Sequence, residues 1–305
     1  MNPAVTAPTT GASGDRSEAT RNLLSRLAAT PPAFPTSVRI AISVVEAIND
    51  ADCSLETVTR LMQTEPLLAA KVVAVANSVA YSSGGRPITS IREAVRRVGL
   101  ATLKSLAVSI VMRQMAAGAA GGRGPAAARL WDHSLHVAVL AFVIARRLTR
   151  QSAEAAMFAG IIHELGGFYL LSMSRETLGI DDAALARCAS SDDGRDPYDD
   201  NDGTETPMAR IGRPLLAAMH IPEPIVEAVA ATWRGFIALP PETLGDTLML
   251  ADVLAPVRSP FENTFGEQAG ADHSEIDLVA GRDTLAGLLQ ESDQVIRSLL
   301  GALRA

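Results

Sequence analysis

A histidine and a glutamate stand side by side at His163-Glu164, in the run IIHELGGFYLL between Ile161 and Leu171. Adjacent imidazole and carboxylate groups can ligate a divalent cation, or can form a hydrogen-bonded polar pair inside a packed core. The zinc-protease pattern needs a second histidine four residues on, and Gly167 stands there, which excludes that class. No glycine-rich phosphate loop, nucleophile elbow or cysteine-histidine spacing occurs elsewhere in the chain.

The five histidines are His133, His136, His163, His220 and His273. The constellation that remains is dispersed: His133, the His163-Glu164 pair, and Asp252 in LMLADVLAP. Each falls on a predicted helix among apolar neighbours. Converging from several helices, such groups could hold one or two divalent ions that activate water. They could equally be core residues satisfied by hydrogen bonds within the protein. His136 and His220 have no second ligand at a useful offset and read as surface or packing residues.

The elements that must position these groups are helices. From Glu18 onward the apolar spacing is helical almost throughout, and no alternating β-branched run persists long enough to argue for a sheet. Ser90 followed by Glu93 is a capping-box pattern, and Ile91, Val95 and Val98 then share a face before Gly99, predicting one short helix that ends there. Pro66 and Pro207 read as first-turn prolines, and Pro222 opens a further helix. The segments 126–148 and 153–172 are apolar around most of their circumference, as helices buried on several sides are.

The glycine-rich GAAGGRGPAAA, Gly118 to Ala128, reads as a link between two helical subdomains. The expected organisation is a flexible tail at 1–17, an N-terminal subdomain at 18–120, a second at 121–260 and a helical extension at 261–305. Six aspartates between Asp192 and Asp202 invite a calcium loop. Counting back from Gly203 as the loop glycine puts Tyr198 in the first ligand position and no glutamate at the last, so a solvated acidic loop is expected.

With 305 residues and 48% hydrophobic content the chain can bury sizeable cores. A net charge of −7 without a basic stripe argues against nucleic acid or an anionic membrane as direct partner, and the basic residues read as solvated faces. Cys53 and Cys188 lie in no metal or redox spacing, which suits a reducing compartment. The N-terminus has neither a basic start nor an apolar core, and the longest wholly apolar run, VAVLAFVIA, is far short of a bilayer span, so a cytoplasmic location is expected.

Short matches in a fixed order then point to a family. They are Pro35, Asn49-Asp50, Glu65-Pro66 with Lys71-Val72, the ANS of Ala76 to Ser78, and IREAVRRVGL ending in Gly99-Leu100. They continue with LWDHS, AGIIHELGG and LLAAMHIPEPIVEAV. From about Asn22 to Val257 the chain resembles the HDOD domain, the HD-related output domain of bacterial signalling proteins. The resemblance implies an all-α, two-part fold, in which an N-terminal helical bundle packs on a helical core related to the HD phosphohydrolases. It also implies a signalling role in stress, motility or cyclic dinucleotide pathways, through contacts with other proteins and without enzymatic activity.

The departures from the parent HD pattern concern metal. Phosphohydrolases of that superfamily carry histidine then aspartate where this chain has His163-Glu164, and a lysine in the related pattern falls at Gly167. Met208 stands where many relatives have a histidine, and Thr232-Trp233 where they have a histidine pair. These are poor ligands for a hard cation, so a second ion has almost nothing to bind it. His133, His163, Glu164 and Asp252 form at most one incomplete site, and the expectation is a protein without cofactor. A mononuclear metal-dependent phosphohydrolase is the alternative.

Overall fold

The structure, a computed structural model, describes residues 39–50, 52–63, 66–82, 86–118, 125–178, 207–219, 221–234, 238, 240–261 and 282–304. The N-terminal tail, the acidic loop, Cys188, His220 and His273 lie outside the described residues. Among the described residues every regular element is helical. The helices are α1 (Arg39–Asn49), α2 (Leu55–Gln63), α3 (Pro66–Ala76), α4 (Ile91–Gly118), α5 (Pro125–Ile144) and α6 (Ala153–Ile162). They continue with α7 (Leu165–Leu178), α8 (Pro207–Ala218), α9 (Glu223–Arg234), α10 (Leu244–Val253) and α11 (Arg282–Arg304).

Local chemistry sets the boundaries. Ser54 Oγ accepts from the Thr57 backbone N–H at 3.0 Å, capping α2. Helices α3 and α8 open on Pro66 and Pro207, where the missing N–H costs nothing. Asn77, in the ANS motif, donates to Ile88 O and accepts from Ile88 N–H, both at 2.8 Å, and so closes the connection between α3 and α4. Thr243 and Asp246 form a reciprocal capping box at the start of α10.

Gly99 ends the short helix that opens α4, as the capping-box segment predicts: it takes φ 81° and ψ 166°, outside helical space, and a second helix follows directly and runs to Gly118. Leu103, Leu106, Ile110, Val111 and Met115 of that second helix are buried, and α4 packs on α1, α2 and α3 and also on α6 and α7. The two consecutive helices of α4 thereby join the N-terminal bundle to the second half. Helix α11 packs on α3 and α5 and spans the same seam from outside.

Helices α5 to α7 form the centre of the second half. The stretches Pro125–Thr149 and Ala153–Ser172 are long and apolar enough to cross a membrane by length and composition. Their apolar windows are 72% and 83% buried against other helices, which marks core helices of a folded domain.

Two basic residues are not solvated. Lys71 is 1% exposed and donates Nζ to Leu303 O at 2.5 Å, holding the C-terminal turn of α11 on α3. Lys104, also buried, donates to Asn49 Oδ1 at 2.7 Å and lies over the Phe158 ring. Their long methylene stems tolerate burial when the ammonium finds an acceptor, a placement no charge count reveals.

Candidate functional site

The site begins with a close helix crossing. A Cβ on Gly160 of α6 would stand 2.5 Å from Ala138 Cα and 2.7 Å from its nitrogen, so only glycine lets α6 lie against the α5 backbone. One turn later α6 ends, and His163-Glu164 form the corner before α7 rather than the middle of one continuous helix. The His163 backbone N–H donates to Ala159 O and its ring Nδ1–H to Gly160 O at 2.7 Å, so the corner itself orients the imidazole.

His133 comes from α5 and is wholly buried. Its Nδ1–H donates to Val257 O at 2.8 Å, while Arg129, one turn earlier, donates to Arg258 O at 2.8 Å. These two bonds draw the segment that follows α10 over α5. Asp252, in the last turn of α10, follows from that path.

The reactive atoms converge. His133 Nε2 lies 3.1 Å from His163 Nε2 and 3.1 Å from Asp252 Oδ1. Glu164 Oε1 is 4.0 Å from the same nitrogen. Asp252 Oδ1 is sealed from solvent and, although His133 Nε2 stands 3.1 Å away, no hydrogen bond of good geometry reaches it. The Asp252 side chain as a whole is 31% exposed, which places the cluster at the edge of the core.

Burial opposes charge on His133, but the Asp252 carboxylate, then Glu164 and the Val257 carbonyl, outweigh it and raise its pKa above the ordinary imidazole value. Burial, and next the adjacent His133, hold His163 below that value. Burial pushes Asp252 up, yet His133 first, with His163 and Arg258, brings it below the usual carboxylate range. The two directions make His133 the more basic of the two imidazoles.

A single cation fits the same place. One ligand atom each from His133, His163 and Asp252 lies within 4.8 Å of the others, both imidazoles present a lone pair when neutral, and Asp252 Oδ1 is an orphaned buried acceptor. Glu164 stands beside them. Among the described residues no second ligand set stands beside it. Thr232 Oγ1 donates to Val229 O at 2.7 Å, and the Trp233 ring fills the space 2.6 Å from a Cβ position at Gly212, under Arg213. Met208 offers only a thioether, 3.6 Å from a Cβ position at Gly166.

At Gly167 a Cβ would meet the Phe261 ring at 2.8 Å and Glu164 Oε2 at 3.2 Å, so no side chain reaches the cluster from there. His136 Nδ1 donates to Asp132 O at 2.7 Å within its own helix, away from the ligand set. Sequence reasoning missed Gly160, Val257 and Phe261. Gly160 left a signal: glycine inside an apolar helix costs about 1 kcal/mol against alanine and calls for a packing reason. Val257 acts through its carbonyl, which no side-chain pattern announces.

An all-helical, two-part architecture with a histidine-carboxylate cluster at the seam of three core helices defines an HD-related protein. The chain belongs to the HDOD family, whose domain model matches residues 34–234. Comparison with curated proteins returns no match.

Among solved structures it is similar to a protein from Shewanella amazonensis SB2B, provisionally called a metal-dependent phosphohydrolase. That likeness has a TM-score of 0.65 at 18% identity, over 95% of this chain and 99% of that one. An HDOD domain protein of unknown function from Geobacter sulfurreducens follows, with a TM-score of 0.56 at 22% identity, over 95% and 98%. A protein from Marinobacter aquaeolei VT8, provisionally called a signal transduction protein, has a TM-score of 0.52 at 17% identity, over 95% and 67%. These likenesses establish the all-α, HD-like fold.

Proposed function

We propose that this chain is a non-catalytic regulatory module of bacterial signalling, working in the cytoplasm through contacts with other signalling proteins and not on nucleic acid or membranes. The observation that carries the reading is the composition of the cluster: one cation's worth of ligands, with the positions for a second ion occupied by Met208, Thr232 and Trp233. Phe261 over Gly167 adds to it, since the side of the cluster where the lysine of the related pattern would stand is packed. His133, His163 and Asp252 then serve as a buried polar knot that ties α5, α6 and α10 together.

The second reading, a mononuclear phosphohydrolase, is favoured by the orphaned Asp252 Oδ1. A divalent ion held by His133, His163 and Asp252 would supply a Lewis acid and a water of lowered pKa. Melting with EDTA, manganese, zinc and iron, metal content, and turnover of a model phosphodiester separate the two. The regulatory reading expects substoichiometric metal, little effect of chelator, no turnover, and a loss of about 1–3 kcal/mol in His163→Ala from the unsatisfied partner. Stoichiometric metal with turnover that His163→Ala abolishes would overturn it, because a tight ion stabilises in proportion to RT ln(1 + [L]/Kd).

A further inference from the structure

Resting on the reading of the chain as a contact-based regulator, we infer that α11 is a releasable strap over the seam between α3 and α5. The seam it leaves is where an amphipathic helix of a partner protein, with a last turn like that of α11, takes hold.

Helix α11 lies outside the matched domain, residues 34–234, yet it reaches both halves of the fold. Its last turns carry the attachment. Val79 N–H, just after α3, donates to Ser298 Oγ at 2.9 Å, and Lys71 Nζ of α3 donates to Leu303 O at 2.5 Å. Arg113 Nη1 of α4 donates to Arg304 O at 3.4 Å, and Arg304 Nη2 donates to Asp132 Oδ1 of α5 at 3.0 Å. Leu299, Leu300, Ala302 and Leu303 are buried in the same stretch. Two cations thus meet the carbonyl end of a helix, where its dipole is negative, while its aliphatic side chains fill the core beside them. That is a receptor for the carboxyl end of an amphipathic helix, and α11 is its resident.

The strap is weakened by its own sequence. Gly287 and Gly301 stand inside α11, each with nothing within 4 Å of an added Cβ, and neither takes a positive φ. Gly160, Gly212 and Gly245 differ, since at each a Cβ would come within 2.5–2.7 Å of a neighbour. A glycine with no packing or backbone reason lowers the helical equilibrium by about fivefold against alanine. Two of them in α11 bias it toward leaving.

The attachments are of a kind that water can replace. The Arg304 and Asp132 side chains are 47% and 46% exposed, and such a pair adds little to stability. Lys71 is held out of water: burial first, and the Arg113 charge second, lower it to about 8. Docking therefore keeps an ammonium from its solvent, and release returns it. The helices beneath are held differently, because α5 and α6 cross at backbone contact through Gly160 and are buried over most of their length. Segments that open on their own are those with few buried contacts and exposed hydrogen bonds, and α11 is such a segment on a firmer base. A ligand that binds only the open state shifts the population toward it, which makes the strap a switch.

Native-state hydrogen exchange on the full chain tests the strap. Amides of α11 are expected to exchange at least about tenfold faster than those of α5 and α6, through an opening insensitive to low denaturant. Gly287→Ala combined with Gly301→Ala is expected to slow α11 at least about fivefold and to leave α5 and α6 unchanged. Exchange of α11 in step with α5 and α6, or an α11 rate indifferent to the two alanines, would overturn the strap. The seam is tested by fluorescence anisotropy with a fluorescein-labelled peptide of residues 282–304, against the same peptide carrying Leu299→Ser, Leu300→Ser and Leu303→Ser. Ser298→Pro breaks α11 from within, so that chain is expected to bind the native-sequence peptide at least about tenfold more tightly than wild type does. The double alanine variant is expected to bind it at least about fivefold more weakly. Equal binding of the two peptides, no binding by any of the chains, or one affinity for all three chains would overturn the docking site. So would a dimer formed by exchange of α11 between copies, since the seam would then belong to a second copy. If Ser298→Pro loses the protection of α5 and α6, the alanine variant decides alone. Phosphodiester turnover on the same samples distinguishes the failures: turnover overturns the regulatory reading, while α11 exchanging in step with the core without turnover overturns the strap alone.

Discussion

His133 Nε2 and His163 Nε2 face each other at 3.1 Å while each ring gives its Nδ1–H to a main-chain carbonyl, Val257 O and Gly160 O. Two neutral rings fixed in this way would set lone pair against lone pair, so one proton or one cation must lie between them. The direction of the two pKa shifts puts the proton on His133, the ring in contact with Asp252.

Asp252→Asn removes the charge that holds the proton. With only Glu164 and the Val257 carbonyl left to oppose burial, the His133 pKa is expected to drop from its raised value, read by NMR titration of its ring carbons. The sign for stability follows. A raised His133 pKa contributes stabilisation that is fully present below the unfolded value of about 6.5 and is lost as pH rises through the folded value. Wild type should therefore lose melting temperature across that window on this account, and Asp252→Asn should not. A His133 titration indifferent to the substitution would refute the assignment.

Gly160→Ala forces a methyl to within 2.5 Å of Ala138 Cα. Backbone cannot yield as a flexible side chain does, so α5 and α6 must separate, at a cost of about 1–3 kcal/mol. Denaturant unfolding measures the loss, and the His133 and His163 ring resonances should shift together because the crossing sets their distance. An unperturbed melting curve would show that the helices do not touch there.

Gly99→Ala tests the kink by a different route. Nothing lies within 4 Å of the added Cβ, so crowding predicts no effect. The backbone conformation predicts a loss of about 1–3 kcal/mol, since φ 81° with ψ 166° strains any residue that has a Cβ. Thermal unfolding decides between them.

Lys71 is lowered to about 8, by burial first and the Arg113 charge second. A lysine whose folded pKa lies below its unfolded one binds fewer protons when folded, so stability rises with pH between about 8 and the free value of 10.5. Lys71→Met should flatten that rise relative to wild type and loosen the end of α11, seen as faster amide exchange around Leu303. Parallel pH curves for the two proteins would place Lys71 in solvent.

The helical class, the first-turn prolines and the four members of the cluster were legible because side-chain type and spacing encode them. Periodicity reports which face is apolar, and an imidazole or carboxylate in an apolar run must have a partner. By resemblance Met208, Thr232 and Trp233 stand where relatives carry histidines, and their weakness as ligands is legible because ligand chemistry is a property of the residue. The sequence marked Gly99 as a helix end but could not show that a second helix follows directly and joins both halves, which burial of Leu103, Leu106 and Ile110 decides. Nor could it place Lys71 and Lys104 inside, since their partners are a helix-end carbonyl and an asparagine far along the chain. The 3.1 Å meeting of the two imidazoles belongs to tertiary structure alone. It depends on the missing Cβ of Gly160 and on two carbonyls that fix the rings, and backbone groups are the same in every sequence until the fold aims them.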